Sequence, residues 1–220
     1  RELLPCHCVA AHKQEEDEFM PDQKNKNLLR LRWLERYDRQ PQEIKDKLDS
    51  YENYDFQLRM IKRKKPTLSA GDVFLLSPRE DIYFYGKVFK TNIKSISKNE
   101  LIEGNHSVFI FKCKTNRLTM DDFAPDYDNL LIDPCIVTTS YWWRGFFYNV
   151  GNIPLTDFEK SLDYGFYNTG SDRFSTEEGE RLNHQPRIMA GGGMTTITGV
   201  ASEIEQELII NPALVDFKQR

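Results

Sequence analysis

Several groups of residues in this chain have side chains that could do chemistry. Cys6-His7-Cys8 with His12 offers thiols and imidazoles, the ligands of structural zinc. Structural zinc sites space their cysteines two to four residues apart and draw a second pair from far along the chain. Here one residue separates the cysteines and no matching pair follows, so no metal is expected. Gly191-Gly192-Gly193 would cradle a phosphate if it opened a helix, whose first amides face an anion. Residues 194–200 instead alternate like a strand, and no Lys-Ser/Thr pair closes the motif. The glycines read as a flexible turn, and no nucleotide or other cofactor is expected.

Cys113 with His106, or Cys135 with His184, would supply a nucleophile and its base. No Gly-x-Ser-x-Gly elbow supports such a pair, and pairs of this kind arise readily by chance. Glu43-Ile44-Lys45 has the local spacing of a metal-dependent nuclease, but lies in a helical pattern rather than on a strand edge. Asp121, Asp122, Asp126 and Asp128 are dense enough to suggest a cation, yet no Asp-x-Asp-x-Asp-Gly loop with a distal Glu follows. They read as a solvated loop whose use would be an acidic face for a basic protein partner. No residue is expected to be catalytic, and the chain reads as a non-enzyme.

Composition narrows the classes further. Net charge is −4 and the pI about 5.7, which disfavours non-specific nucleic-acid binding. The charge is uneven: residues 1–70 carry 15 Lys/Arg and 13 Asp/Glu, and residues 71–220 carry 15 and 21. The acidic part is therefore the C-terminal body. No apolar run is long enough to span a bilayer and no signal-like core follows a basic start. The first residue is Arg1 rather than Met, consistent with a chain trimmed at its front. Four cysteines are sparse, so a cytoplasmic protein without a disulfide framework is expected.

The elements that must position these groups change period near Gly71. Residues 1–23, with little apolar content, the acidic run Glu15-Glu16-Asp17-Glu18 and then Pro21, read as poorly ordered. From Asn27, Leu28, Leu31 and Leu34 recur with Trp33 and Tyr37 at helical spacing, and the three leucines should be packed against another surface. Pro41 opens a second helix, whose stripe runs through Ile44, Leu48, Tyr51, Asp55 and Leu58 to Ile61 or Lys62, apolar except at Asp55. The run Lys62-Arg63-Lys64-Lys65 before Pro66 suits a helix C-terminus; a nucleic-acid or anionic-membrane patch is its functional alternative.

Beyond Gly71, residues 72–77, 82–90, 107–114, 130–139, 141–150 and 162–168 read as strands, with 187–190 and 195–200 as a last pair. Residues 169–185 read as loop. Residues 202–208 read as a short closing helix capped by Ser202. The segment 130–152 is richest in aromatic and β-branched residues, which favour a half-buried pleated surface. Trp142, Trp143, Phe146 and Phe147 are expected in the core. The fold class is α+β: a mainly antiparallel β domain over 68–220, preceded by a helical extension over 1–67.

Two blocks carry a resemblance. Gly71-Asp72-Val73-Phe74-Leu75-Leu76 followed by Tyr83-Phe84-Tyr85-Gly86-Lys87-Val88 is similar to the opening of the bacterial Immunity protein 26 family. Leu130 to Pro134, Trp143-Arg144-Gly145-Phe146-Phe147 and Val150-Gly151-Asn152 resemble its later strands, and Asp163-Tyr164-Gly165-Phe166 fits a further one. The resemblance covers about residues 68–200. It implies a mainly β protein of polymorphic or contact-dependent toxin systems that acts by binding a cognate toxin, with no catalytic motif and no cofactor.

The expectation is thus an immunity protein in the bacterial cytoplasm, with a toxin domain as partner and no membrane. Asp121, Asp122, Asp126 and Asp128 are the candidate partner-binding residues, with the helical arm beside them. The rivals are a small hydrolase or nuclease, and a nucleic-acid adaptor using residues 30–39 and 62–65. A concave pocket converging two perturbed titratable groups would favour the enzyme.

Overall fold

Where the period becomes two, a sheet begins. In the computed structural model, which describes residues 27–51 and 57–217, β1 (Asp72–Arg79), β2 (Ile82–Lys90), β3 (His106–Thr115), β4 (Leu130–Val137) and β5 (Tyr148–Asn152) form one sheet in the order β4-β3-β2-β1-β5, every pair antiparallel. The Cys6-His7-Cys8 cluster, His12, the acidic run at 15–18 and Asp55 lie outside the described residues. Alternation splits β1 cleanly: Phe74 and Leu76 enter one buried cluster, Val73 and Leu75 another. Both faces are covered, so the strand reads as an unbroken apolar run. Gly86 is needed opposite Phe74, because a Cβ there would stand 2.2 Å from Phe74 Cζ.

Two helices precede the sheet, α1 (Leu28–Asp38) and α2 (Gln42–Ser50). Asn27 Oδ1 caps α1 by accepting from Arg30 N at 3.1 Å. The leucine stripe does not pack as expected: Leu31 is 50% and Leu34 40% exposed. The face turned to the body carries Leu29, Arg32, Trp33 and Arg36 instead, one helical stripe over of mixed character. The second helix also stops earlier than its stripe suggests. Tyr51 is already extended, and Arg59 N donates to Ser77 O at 2.7 Å, pairing this stretch with β1. Leu58 is buried by that pairing rather than by a helix face. Pro66 biases the residue before it toward extended backbone, which suits this path.

The segment expected as a strand over 141–150 is mostly not one. A single helical turn, α3 (Ser140–Trp143), and a reversal at Gly145 precede β5. Tyr141, Trp142 and Phe147 are driven inward, where Phe147 stacks on Phe74 with centroids 4.3 Å apart and Trp142 meets Phe74 edge-on. Trp142 Nε1 finds Asn149 Oδ1 at 2.6 Å. Packing of three rings into one core site needs a turn, and a flat strand would point alternate rings at solvent. Trp143 is the one left out, 51% exposed, so its expected place in the core is corrected.

A capped turn, α4 (Asp157–Lys160), follows, and then a small second sheet of β6 (Tyr164–Asn168), β7 (Arg173–Ser175) and β8 (Ile188–Gly191) in the order β7-β6-β8. β7 interrupts the expected loop, and β6 and β8 run parallel. Residues 195–200 are not a strand: only Met194 bridges β4, at Ile136. The chain then enters α5 (Ile197–Ile210), capped by Thr196 accepting from Gly199 N at 3.0 Å rather than by Ser202. Val200, Ala201, Ile204 and Leu208 give the helical spacing that buries α5 on the sheet; this longer period outweighs the short alternation at its start. A 3-10 turn, Pro212–Val215, closes the described chain.

Candidate interaction surfaces

The acidic loop leaves β3 and returns to β4. Asp121 and Asp126 are exposed and Asp122 is half-buried. Arg117 lies 3.9 Å from Asp121 and 3.4 Å from Asp122, which also accepts from Thr115 Oγ1 at 2.9 Å. Asp128 pairs with Arg187 at 2.9 Å, and its N–H donates to Asp126 Oδ1 at 3.0 Å. The four carboxylates therefore share one loop, and internal cations offset part of its charge. Tyr85 OH donates to Thr119 O at 2.9 Å and Met120 packs beside the sheet, so the loop's first residues are held in place.

A cleft of about 690 Å³ opens between α1, β4, β8 and α5. Arg32 pairs with Asp133 on β4, and Arg36 binds both carboxylate oxygens of Glu207 on α5. Arg32 and Arg36 are four residues apart, as are Glu203 and Glu207. Like charges at that spacing weaken an isolated helix, and this was the available sequence signal for two facing helices. Glu203 is exposed by area yet enclosed within the cleft. Enclosure, with Asp133 and Glu207 nearby, pushes its carboxyl up to about 7, against the opposing pull of Arg32. Enclosure also raises the Asp133 carboxyl in spite of Arg32.

The nucleophile pairs considered from sequence do not assemble. His106 and Cys113 stand seven residues apart on β3, roughly 23 Å along a strand. His106 is buried, its charged form disfavoured by desolvation, with Nδ1 accepting from Asn92 N and Nε2 at 2.9 Å from Thr139 Oγ1. Burial pushes the Cys113 thiol up to about 11 and the Cys135 thiol well above its ordinary value. His184 pairs with Asp163 at 2.7 Å on an exposed loop, whereas Cys135 sits in the main core with α5. Glu43 is paired with Lys47 on α2 at 2.7 Å. Among the described residues, no three His, Cys, Asp or Glu side chains are grouped to hold a metal ion.

One ionic group escaped sequence reading because it sits inside an apolar strand pattern. Lys87 on β2 is buried and meets Glu159 of α4. Tyr127 also donates to Glu159, and Thr156 completes a capping box with it. Burial by itself would raise the Glu159 carboxyl; the hydrogen bonds from Lys87, Tyr127 and Thr156 outweigh it and hold the carboxyl below its ordinary value. Every polar atom of this cluster has a partner within the protein, so it serves the fold.

A family model described as Immunity protein 26 matches residues 69–173, from just before β1 to the start of β7. The match bears out the resemblance read from the Gly-Asp-Val-Phe and Trp-x-x-Gly-Phe-Phe motifs, over a shorter stretch than the motifs suggested. It takes in the five-stranded sheet and the acidic loop, and leaves α1 and α5 outside. No curated protein and no solved structure gives a significant match.

Proposed function

We propose that this chain, similar to Immunity protein 26 over its central sheet, is an immunity protein that binds a cognate bacterial toxin domain and neutralises it by covering its active face. The family match over residues 69–173 carries the reading. The chemistry within that stretch agrees with it: the thiols are held protonated and the buried Lys87–Glu159 pair is internally satisfied, which leaves the surface as the part available for work. Residues 68–220 form the immunity domain in this reading, and residues 1–67 an extension that docks on it through Arg32, Arg36 and the Tyr51–Ser202 hydrogen bond. The protein acts without a cofactor, in the cytoplasm where the toxin would reach its target. Among the described residues no helix is long and apolar enough to cross a membrane.

Asp121, Asp122, Asp126 and Asp128 are our proposed steering surface. Exposed charges act chiefly on diffusional encounter, raising the association rate toward a surface of opposite sign.

A hydrolase is the second reading, and the cleft is what favours it, because Glu203 titrates near neutrality beside Asp133. Against it, Arg32 and Arg36 already engage Asp133 and Glu207, and neither described thiol is ionised near neutral pH.

The deciding experiment is co-expression with the C-terminal domain of a toxin candidate encoded by a neighbouring open reading frame. Co-elution of the two on gel filtration and protection of the cells are expected. Absence of a complex, together with substrate turnover lost on a single substitution such as Glu203→Gln, would overturn the immunity reading in favour of the hydrolase.

A further inference from the structure

The four-cation run at 62–65 is not a helix end, and its actual setting points to a use. Residues 59–64 run beside α3 and the turn that follows it: Ile61 N donates to Gly145 O at 2.8 Å and Lys64 N to Trp142 O at 3.3 Å. Gly145 has φ +85°, and a Cβ on it would stand 2.9 Å from the Lys62 carbonyl carbon and 3.0 Å from Arg63 N. The two segments are thus fitted backbone to backbone, which brings residues 62–65 beside Trp143 and Arg144. Lys64 Nζ lies 4.6 Å from the Tyr148 ring centre and Lys65 Nζ 5.9 Å from that of Trp143; Arg144 lies 5.8 Å from that of Phe146.

All five cations are exposed, and none makes an ion pair among the described residues. Met60 is 57% and Trp143 51% exposed beside them. An indole and a thioether thus face solvent within a positive strip that no carboxylate among the described residues offsets, on a chain of net −4; exposed apolar groups of this size are costly in water unless a partner covers them. Trp, Arg and Met are the residue types enriched where protein interfaces are anchored, while lysines suit a rim.

We infer that Met60, Trp143 and Arg144, rimmed by residues 62–65, form the anchoring surface for an acidic face of a protein partner. The inference rests on the toxin-binding reading, which makes that partner the toxin domain. Nucleic acid is the weaker occupant. The rings of Trp143, Tyr148 and Phe146 each already carry a cation, whereas base stacking needs open ring faces, and the acidic body repels a polyanion. The patch also lies close to the acidic loop. Tyr148 of β5 touches Lys64, while Gly151, three residues on and roughly 10 Å along the strand, abuts Met120 at the root of the loop. Charges of opposite sign would then alternate across one interface and fix its register.

The test is the affinity of the full chain for the purified, catalytically inactivated candidate toxin domain of the co-expression experiment, measured for wild type, Trp143→Ala, Arg144→Glu and the fourfold Glu variant of residues 62–65. Melting temperatures serve as the folding control. Trp143→Ala should weaken binding at least ~30-fold, mostly through faster dissociation, and the charge variants should slow association and change its salt dependence, at unchanged melting temperature. Wild-type binding that all three variants retain within about twofold overturns the patch and leaves the immunity reading standing. No binding by wild type overturns both. A fluorescent single-stranded oligonucleotide that binds wild type, loses affinity steeply with salt and is released by the fourfold variant would assign the patch to nucleic acid instead.

Discussion

Lys87 Nζ stands 2.6 Å from Glu159 Oε1, and the two side chains keep only 2% and 5% of their exposure. Seventy-two residues separate them in the chain, so the pair ties the turn after β5 to the middle of the sheet. A buried pair of this kind is weak evidence of net stability, but leaving one member alone is costly. Glu159→Gln should therefore destabilise the protein by about 3–5 kcal/mol in urea unfolding. Lys87→Met combined with Glu159→Gln should cost less than the sum of the two single changes, because no uncompensated charge remains. Additive losses would mean that the pair does not couple.

The same pair gives an acid dependence. Because the folded-state carboxyl of Glu159 lies below its ordinary value of 4.5, the unfolded state binds the proton more readily. Its contribution is present above about pH 4.5 and is lost as pH falls through the folded value. The Glu159→Gln variant should show a flatter stability profile across that acid range than wild type does.

Glu203 has the opposite sign. Its folded carboxyl is raised from 4.5 to about 7, so the native state holds the proton more tightly and stability falls as pH rises through that window. Glu203 is exposed by area, so solvent screens the effect, and we discount it to on the order of 1 kcal/mol. Glu203→Gln should raise the melting temperature at pH 8 and leave it nearly unchanged at pH 4. A gain at both would assign the effect to packing rather than to charge.

The adjacent tryptophans should separate cleanly. Trp142 is fully buried and its truncation to Ala should cost about 3–5 kcal/mol. Trp143→Ala should stay within about 0.5 kcal/mol, as expected of an exposed side chain. A large loss at Trp143 would show that its ring supports the fold through its contact with residues 62–65.

Reversal of Asp121, Asp122, Asp126 and Asp128 to Lys together tests the loop. Association with the proposed toxin partner should slow and its salt dependence flatten. Because Arg117 and Arg187 lose their partners in that variant, Asp126→Lys alone is the cleaner companion, with a smaller effect of the same sign. An on-rate equal to wild type in both would remove the loop from the interface.

Much of the architecture was legible in the residues. The change of period at Gly71, the alternation in β1 to β4 and the Pro41 break place the helices ahead of an antiparallel sheet, because each rests on local backbone preference and on which side of an element is apolar. The family resemblance was legible for the same reason, since its motifs lie within those strands. What stayed hidden depends on contacts between distant segments. Trp142 and Trp143 are neighbours of identical chemistry; a single turn of α3 buries one and exposes the other. The run at 62–65 has the composition of a helix end, and only the contacts of Arg59 with Ser77, Ile61 with Gly145 and Lys64 with Trp142 lay it beside an indole. Arg32 and Arg36 read as surface cations until α5 and β4 bring Glu207 and Asp133 to them. Residue type sets what a side chain can do, but whether it is enclosed, paired or left facing a partner is decided by segments that no local pattern encodes.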